Sequence, residues 1–171
     1  MIPDDASDRL LESAHKIGKL CEKLGVQQWE VFGTQGYGHS LDIEADKITM
    51  ASGGGDGGFG IRLVNDGKYG FAHVVDSDAA EVSVIEAIKI AEKSPSIEGF
   101  ELPGNHSSKD VGGMKDTKIL NMSPEDLLEQ GDQVLTRVKE LDSRASAVGG
   151  GIGIGAGATA IVTSSGIESH G

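Results

Sequence analysis

The sequence predicts an α+β fold, an antiparallel or mixed sheet with about three helices packed on it. Three observations carry that expectation. Two long segments and one near the amino terminus hold apolar residues at helical spacing, and the stretches between them alternate with a period of two and are broken by glycine. Aromatic side chains make up only 4% of 171 residues while glycine supplies 26, so the core must come mostly from Ile, Leu, Val and Ala with much backbone turning. That composition suits a sheet covered by helices better than a helical bundle. A chain of this length buries roughly 70% of the surface its unfolded form exposes, enough for one domain over residues 1–171 without a staple.

The first helix is expected over Asp5 to Leu24, where Leu10, Ala14, Ile17, Cys21 and Leu24 recur at spacings of four and three and Gly25 follows as a stop. Cys21 lies on that apolar stripe and reads as a small buried hydrophobe. From Trp29 to Val75 the pattern is that of strands. Leu41, Ile43 and Ala45 alternate with Asp42, Glu44 and Asp46, and Phe59, Ile61 and Leu63 alternate with Gly60, Arg62 and Val64. Asn65-Asp66-Gly67-Lys68 is a hairpin signal that brings GIRLV alongside YGFAHV. The second helix is expected over Asp78 to Ser94, with Asp78 and Glu81 as a capping box, Glu81, Ile85, Ile88 and Ala91 along one side, and Pro95 as terminator. Residues 96–122 form a long connection rich in Gly, Ser, Lys and Asp. The third helix opens with Ser123 as cap and Pro124 in its first turn, and presents Leu127, Leu128, Val134, Leu135, Val138 and Leu141 as a broad apolar face. After Ser143 strand-like sequence returns, ASAVGGGIGIGAGATAIVT, followed by a turn and the first residues of another strand. This ending predicts the amino-terminal part of a longer chain.

A formal charge of −12, from 27 acidic and 15 basic residues, argues against nucleic acid and anionic membranes as partners. Cys21 is the only cysteine, which excludes an internal disulfide framework and fits a reducing, cytoplasmic setting. The first residues, MIPDDASDRLLE, lack the cationic and apolar regions of a signal peptide, and no run of about 18 apolar residues is present to span a membrane.

The glycine runs raise a phosphate hypothesis. GGGDGGFG contains two overlapping G-x-G-x-x-G matches, Gly53-Gly55-Gly58 and Gly55-Gly57-Gly60, and GGGIGIGAGATA offers Gly155-Gly157-Ala160. A dinucleotide fingerprint needs a strand, a glycine turn and a helix in that order, because the pyrophosphate sits on the helix amino terminus. Both runs lead into strand sequence, FGIRLV and AIVTSS, so nucleotide binding ranks last among the readings. Asp56 within the first run would also repel phosphate. His15, His39, His73, His106 and His170 are scattered, with no pair at the spacing that puts two imidazoles on one metal. Serines 40, 164 and 165 lack a nucleophile-elbow context. The expectation is therefore no catalytic residue, no cofactor-binding residue and no metal ligand in this chain; its sheet instead suits addition of a strand from a partner or peptide.

One longer pattern is more specific. SLDIEADKIT, then GGFGIRLVNDGKYGFAHVVD, then a helix of type AIKIAEKSP resembles the start of the TldD/PmbA family, once called modulators of DNA gyrase. The signature G-[IV]-R-[LV]-x-x-[DN]-G-K-x-G-[FA]-A is met by Gly60 to Ala72, and SPEDLLE (Ser123 to Glu129) and SSGI (Ser164 to Ile167) stand where the PmbA branch has similar sequence. The resemblance covers essentially the whole chain. It implies a zinc metallopeptidase system that degrades unfolded or extended peptides, assembled as a homo-oligomer or with a TldD-like partner subunit. It also implies that the zinc, bound in the TldD branch by an H-E-x-x-x-H helix and a distant cysteine, belongs to a carboxy-terminal domain. No histidine here is followed by glutamate, so no site residue carries over. The expected role is a non-catalytic amino-terminal domain for assembly and capture of extended peptide; the alternative is the front of an active TldD-like peptidase with its metal site beyond residue 171.

Overall fold

The computed structural model describes residues 5–104 and 111–171. The elements run α1 (Ala6–Lys23), β1 (Gln28–Glu44), β2 (Lys47–Asn65), β3 (Lys68–Val74), a 3-10 turn (Ser77–Ala79), α2 (Ala80–Lys93), α3 (Thr117–Leu120), α4 (Pro124–Leu141), β4 (Gly149–Thr163) and β5 (Glu168–His170). Five strands form one sheet in the order β3-β2-β1-β4-β5, with β2/β3 and β4/β5 antiparallel, which is the expected α+β class. The chain divides into two compact units, a helix-packed unit of residues 3–35, 57–110 and 157–171 and a glycine unit of residues 1–2, 36–56 and 111–156. Strands β1, β2 and β4 contribute residues to both.

In the helix-packed unit, α1 buries Leu10, Ala14, Ile17, Gly18 and Cys21, the stripe its spacing predicts. It stops at Gly25, whose φ of 77° is the left-handed conformation that glycine adopts most easily. Gly18 is required by packing, because a Cβ there would overlap the Trp29 indole. Burial pushes the Cys21 thiol up to about 12, so it is a core group and not a nucleophile at neutral pH. The sheet supplies Trp29, Val31, Phe59, Ile61 and Leu63 to the core, each side chain worth about 1.5–3 kcal/mol when fully buried. Asp66 and Gly67, at φ 52° and 69°, close the β2–β3 hairpin with Asn65 opposite Lys68 and Phe59 opposite Val74.

Helix α2 differs from its sequence reading at two points. Its entrance is capped by Asp76, whose carboxylate accepts from the Asp78 N–H and starts the 3-10 turn; no Asp78–Glu81 box forms. Its buried stripe is Ala80, Val84, Ala87 and Ala91 rather than the line through Glu81, Ile85 and Ile88. The reason is backbone proximity. Gly70 of β3 lies against the Ala87 carbonyl with no room for a Cβ, so the helix presents its small residues to the strand.

The glycine unit holds α4, whose amino terminus is the expected one: Ser123 Oγ accepts from the Asp126 N–H, the Asp126 carboxylate accepts from the Ser123 N–H, and Pro124 fills the first helical position. The broad apolar face is only partly used. Leu127 and Gly131 are buried, whereas Val134 and Leu141 are 46% and 71% exposed. Gly131 receives the methyl ends of Leu41 and Ile48, where a Cβ would approach within 3.0 Å. The long connection over residues 96–122 contains α3, capped by Asp116 through the Lys118 N–H. The strand read as continuous through Ala45 instead turns there. Ala45 and Asp46 take φ of 48° and 63°, and the Asp46 carboxylate is held by Lys139 Nζ, Ser146 Oγ and the Ala147 N–H.

Candidate functional site

Within the glycine unit, three adjacent strands are bare over the same stretch: Gly36 and Gly38 of β1, Gly53, Gly54 and Gly55 of β2, and Gly149, Gly150, Gly151, Gly153 and Gly155 of β4. Their backbones lie close. A Cβ at Gly55 would stand 2.9 Å from the Gly36 carbonyl oxygen, one at Gly38 3.0 Å from that of Ile154, and one at Gly151 3.1 Å from that of Leu41. Side chains at these positions would force the strands apart, which is a physical reason for glycine in strands that it otherwise weakens.

The two faces of this stretch differ. Gly36, Gly38, Gly54 and Gly155 line a shallow floor, bordered by Asp56 and by a Ser40–Ser52 hydroxyl hydrogen bond of 2.8 Å. On alternate positions of β1, Tyr37 and His39 place their rings 5.8 Å apart, edge to face. The His39 ring covers Gly53, and the Tyr37 Cβ lies 3.5 Å from where a Cβ of Gly55 would be. Tyr37 is anchored by its hydroxyl, which donates to the Leu120 carbonyl at 3.0 Å, so α3 fixes the ring.

The edges are the distinctive feature. β3 pairs with β2 only from Phe59 onward, and β5 pairs with β4 only over Ala160 to Val162, with Thr159 and Gly171 exchanging hydrogen bonds of 2.8 and 3.0 Å. Outward-pointing N–H and C=O groups recur at every second residue of an antiparallel strand. Thr159 sets that phase on β4, so Gly155, Gly153, Gly151 and Gly149 face outward; on β2 the two-residue hairpin at Asp66-Gly67 sets it, and Gly55 and Gly53 face outward. Every outward position in these stretches is glycine, so the backbone is approachable without hindrance from a side chain. Neither glycine run opens a helix: β2 continues to Asn65 and β4 to Thr163, which removes the geometry a phosphate fingerprint requires.

The histidines are placed separately. His15 Nε2 lies 2.9 Å from Glu168 and His170 Nε2 3.1 Å from Asp8, exposed ion-pair positions; His39 stacks with Tyr37, His73 lies beside Gly58, and His106 falls outside the described residues. Among the described residues no group of three or more His, Cys, Asp or Glu side chains is arranged to hold a metal. No helix of the described residues is long and apolar enough to cross a membrane. The sequence reading named no open strand edge and passed over Tyr37. A signal was present: from Gly151 to Gly157 glycine alternates with Ile152, Ile154 and Ala156 at a period of two, which places those glycines of β4 on one phase.

Comparison with known proteins bears on this arrangement. Residues 29–94 match the family model described as PmbA/TldA metallopeptidase domain 1. A curated protein of Methanocaldococcus jannaschii, itself uncharacterized, is 31% identical over 153 residues, 90% of this chain and 35% of its own length. TldE from Thermococcus kodakarensis superposes with a TM-score of 0.79 at 19% identity, covering 96% of this chain and 36% of TldE. A protein of Bacteroides thetaiotaomicron named as a candidate modulator of DNA gyrase superposes with a TM-score of 0.76 at 21% identity, covering 100% of this chain and 39% of that one. At those identities the structural likeness establishes the fold. The chain spans a little over a third of the length of these relatives.

Proposed function

The chain belongs to the PmbA/TldD family and carries its first domain, and from that premise we propose that it is a non-catalytic, peptide-capturing and assembly domain of a PmbA-like member of the metallopeptidase system. It works in the cytoplasm and pairs with a second copy or with a TldD-like subunit. The zinc of the system belongs to a carboxy-terminal domain. The observation that carries the reading is the pair of open, glycine-lined edges in one small unit. Extended polypeptide is recognised by main-chain hydrogen bonds before side chains are read, and an edge without obstructing side chains is suited to many sequences.

The test is binding of a permanently unfolded protein, reduced and carboxymethylated lactalbumin, to the chain, followed by fluorescence anisotropy. Saturable binding with a dissociation constant below about 1 mM is expected, and no binding at that concentration ends the capture reading. The rival, the front of a TldD-like active peptidase, is favoured by the metallopeptidase description of the matched family. An H-E-x-x-x-H motif in the longer reading frame would establish the rival; a frame without it would eliminate it.

A further inference from the structure

Resting on the capture reading, we propose that the outer edge of β2 at Gly53–Asp56 is the peptide-pairing edge, and that it selects an extended strand alternating apolar with basic residues. The course of the neighbouring strand leaves this edge open. β3 reaches only the Phe59–Val74 pair before the chain turns into the 3-10 turn at Ser77, so no neighbouring segment of the chain runs beside Gly53 and Gly55 among the described residues. β5 covers the outer edge of β4 only over Ala160–Val162, so the β4 glycines are open as well, but no ring lies within 4 Å of a Cβ placed at Gly149, Gly151, Gly153 or Gly155, as that of His39 does at Gly53.

An incoming antiparallel strand would pair with the outward groups of Gly53 and Gly55 through about four main-chain hydrogen bonds. Its side chains then alternate between the two faces. On one face they meet the His39 ring, which covers Gly53, and Tyr37, whose Cβ lies 3.5 Å from where a Cβ of Gly55 would stand, whose ring meets that of His39 edge to face and whose hydroxyl is held by Leu120. That face takes apolar residues. On the other face the strand passes Ser52 and Asp56, with Asp42 and Glu44 on the same open side of β1 and Lys47 as the neighbouring base. In a chain of net charge −12, that face favours Lys or Arg.

The probe is the peptide acetyl-Val-Lys-Val-Lys-Val-Lys-amide, titrated into the chain and followed by amide hydrogen exchange and NMR shifts. Slowed exchange and shifts are expected at Gly53 and Gly55. A peptide with the same side chains but N-methylated on alternate residues, so that it cannot donate to the edge, should bind at least about 10-fold more weakly. Asp56→Asn should weaken the lysine peptide about 2–5-fold without affecting a Val-Ser counterpart, the range for one exposed charge pair. Binding that protects the β4 glycines instead, or that tolerates N-methylation, overturns the edge assignment while leaving the capture reading intact. If the valine–lysine peptide fails to bind while carboxymethylated lactalbumin binds, the assignment is likewise overturned; failure of both removes the capture reading as well.

Discussion

The two units use the same amino acid for opposite purposes. In the helix-packed unit, Gly18 and Gly70 are filled sites: the Trp29 ring occupies the space beside one and the Ala87 carbonyl presses against the other. In the glycine unit, Gly54 and Gly150 have nothing within 4 Å of a notional Cβ, and the outward glycines of β2 and β4 stand on unpaired edges. The first unit buries Ile17, Val31, Ile61, Leu63 and Val84 completely; among the described residues of the second, Leu127 is the most buried of the large side chains at 1% exposure. Glycine inside a dense core permits close packing, whereas glycine in a thin sheet lowers strand stability and exposes hydrogen-bonding backbone. The difference teaches that the packed core of this protein and its open, bare backbone reside in different residues.

The largest expected effect tests the core side of that contrast. Leu63→Ala removes a fully buried side chain and should cost about 2–5 kcal/mol in urea unfolding, whereas Leu141→Ala, 71% exposed at the end of α4, should cost less than about 0.5 kcal/mol. Equal effects would erase the distinction between the units. Gly70→Ala comes next, at about 1–3 kcal/mol, because its Cβ meets backbone that cannot rotate away; Gly54→Ala, in open space, should stay within about 0.5 kcal/mol by the same assay.

Glu30→Gln addresses the one buried charge among the described residues of the helix-packed unit. Glu30 is 7% exposed and accepts two hydrogen bonds of 2.7 Å from Arg62, whose pKa is raised by that carboxylate. Arg62 is itself 41% exposed, so solvent screens part of the pair and the loss should be about 1–2 kcal/mol. The smallest effect concerns acid. Asp46, through Lys139, Ala147 and Ser146, Asp126, through Ser123, and Asp142, through Arg144, are each held below the usual carboxylate range. A carboxyl whose folded pKa is depressed stabilises the fold above its unfolded value near 3.9 and loses that contribution as pH falls through the folded value. Thermal unfolding followed below about pH 4 should therefore show a shallower pH dependence in Asp46→Asn than in the parent chain. An unchanged slope would show that the Ala45-Asp46 turn holds without its carboxylate contacts.

Much of this fold was legible before any coordinates. Helix α1 and its Gly25 stop, the Ser123-Pro124 entrance of α4, the Asp66-Gly67 hairpin and the strand nature of both glycine runs follow from local chemistry, because caps, φ preferences and periodicity act over a few residues. The turn at Ala45-Asp46 was not, since neither residue announces a turn as glycine does and its support comes from Lys139 and Ser146, roughly a hundred residues away. The stripe of α2 was misplaced for a related reason. Periodicity favours the larger residues Ile85 and Ile88, but Gly70 decides that Ala80, Ala87 and Ala91 face the strand.

The sequence by itself determined the class of the fold, the limits of α1 and the start of α4, and the glycine content of three strands. Only the tertiary structure decided that Gly53 and Gly55 of β2 and Gly149, Gly151, Gly153 and Gly155 of β4 stand on open edges, that the His39 ring covers Gly53, and that β3 leaves β2 beyond Phe59. Strand register and neighbour order are set by contacts between residues far apart in the chain, and no local pattern encodes which partner each strand will meet.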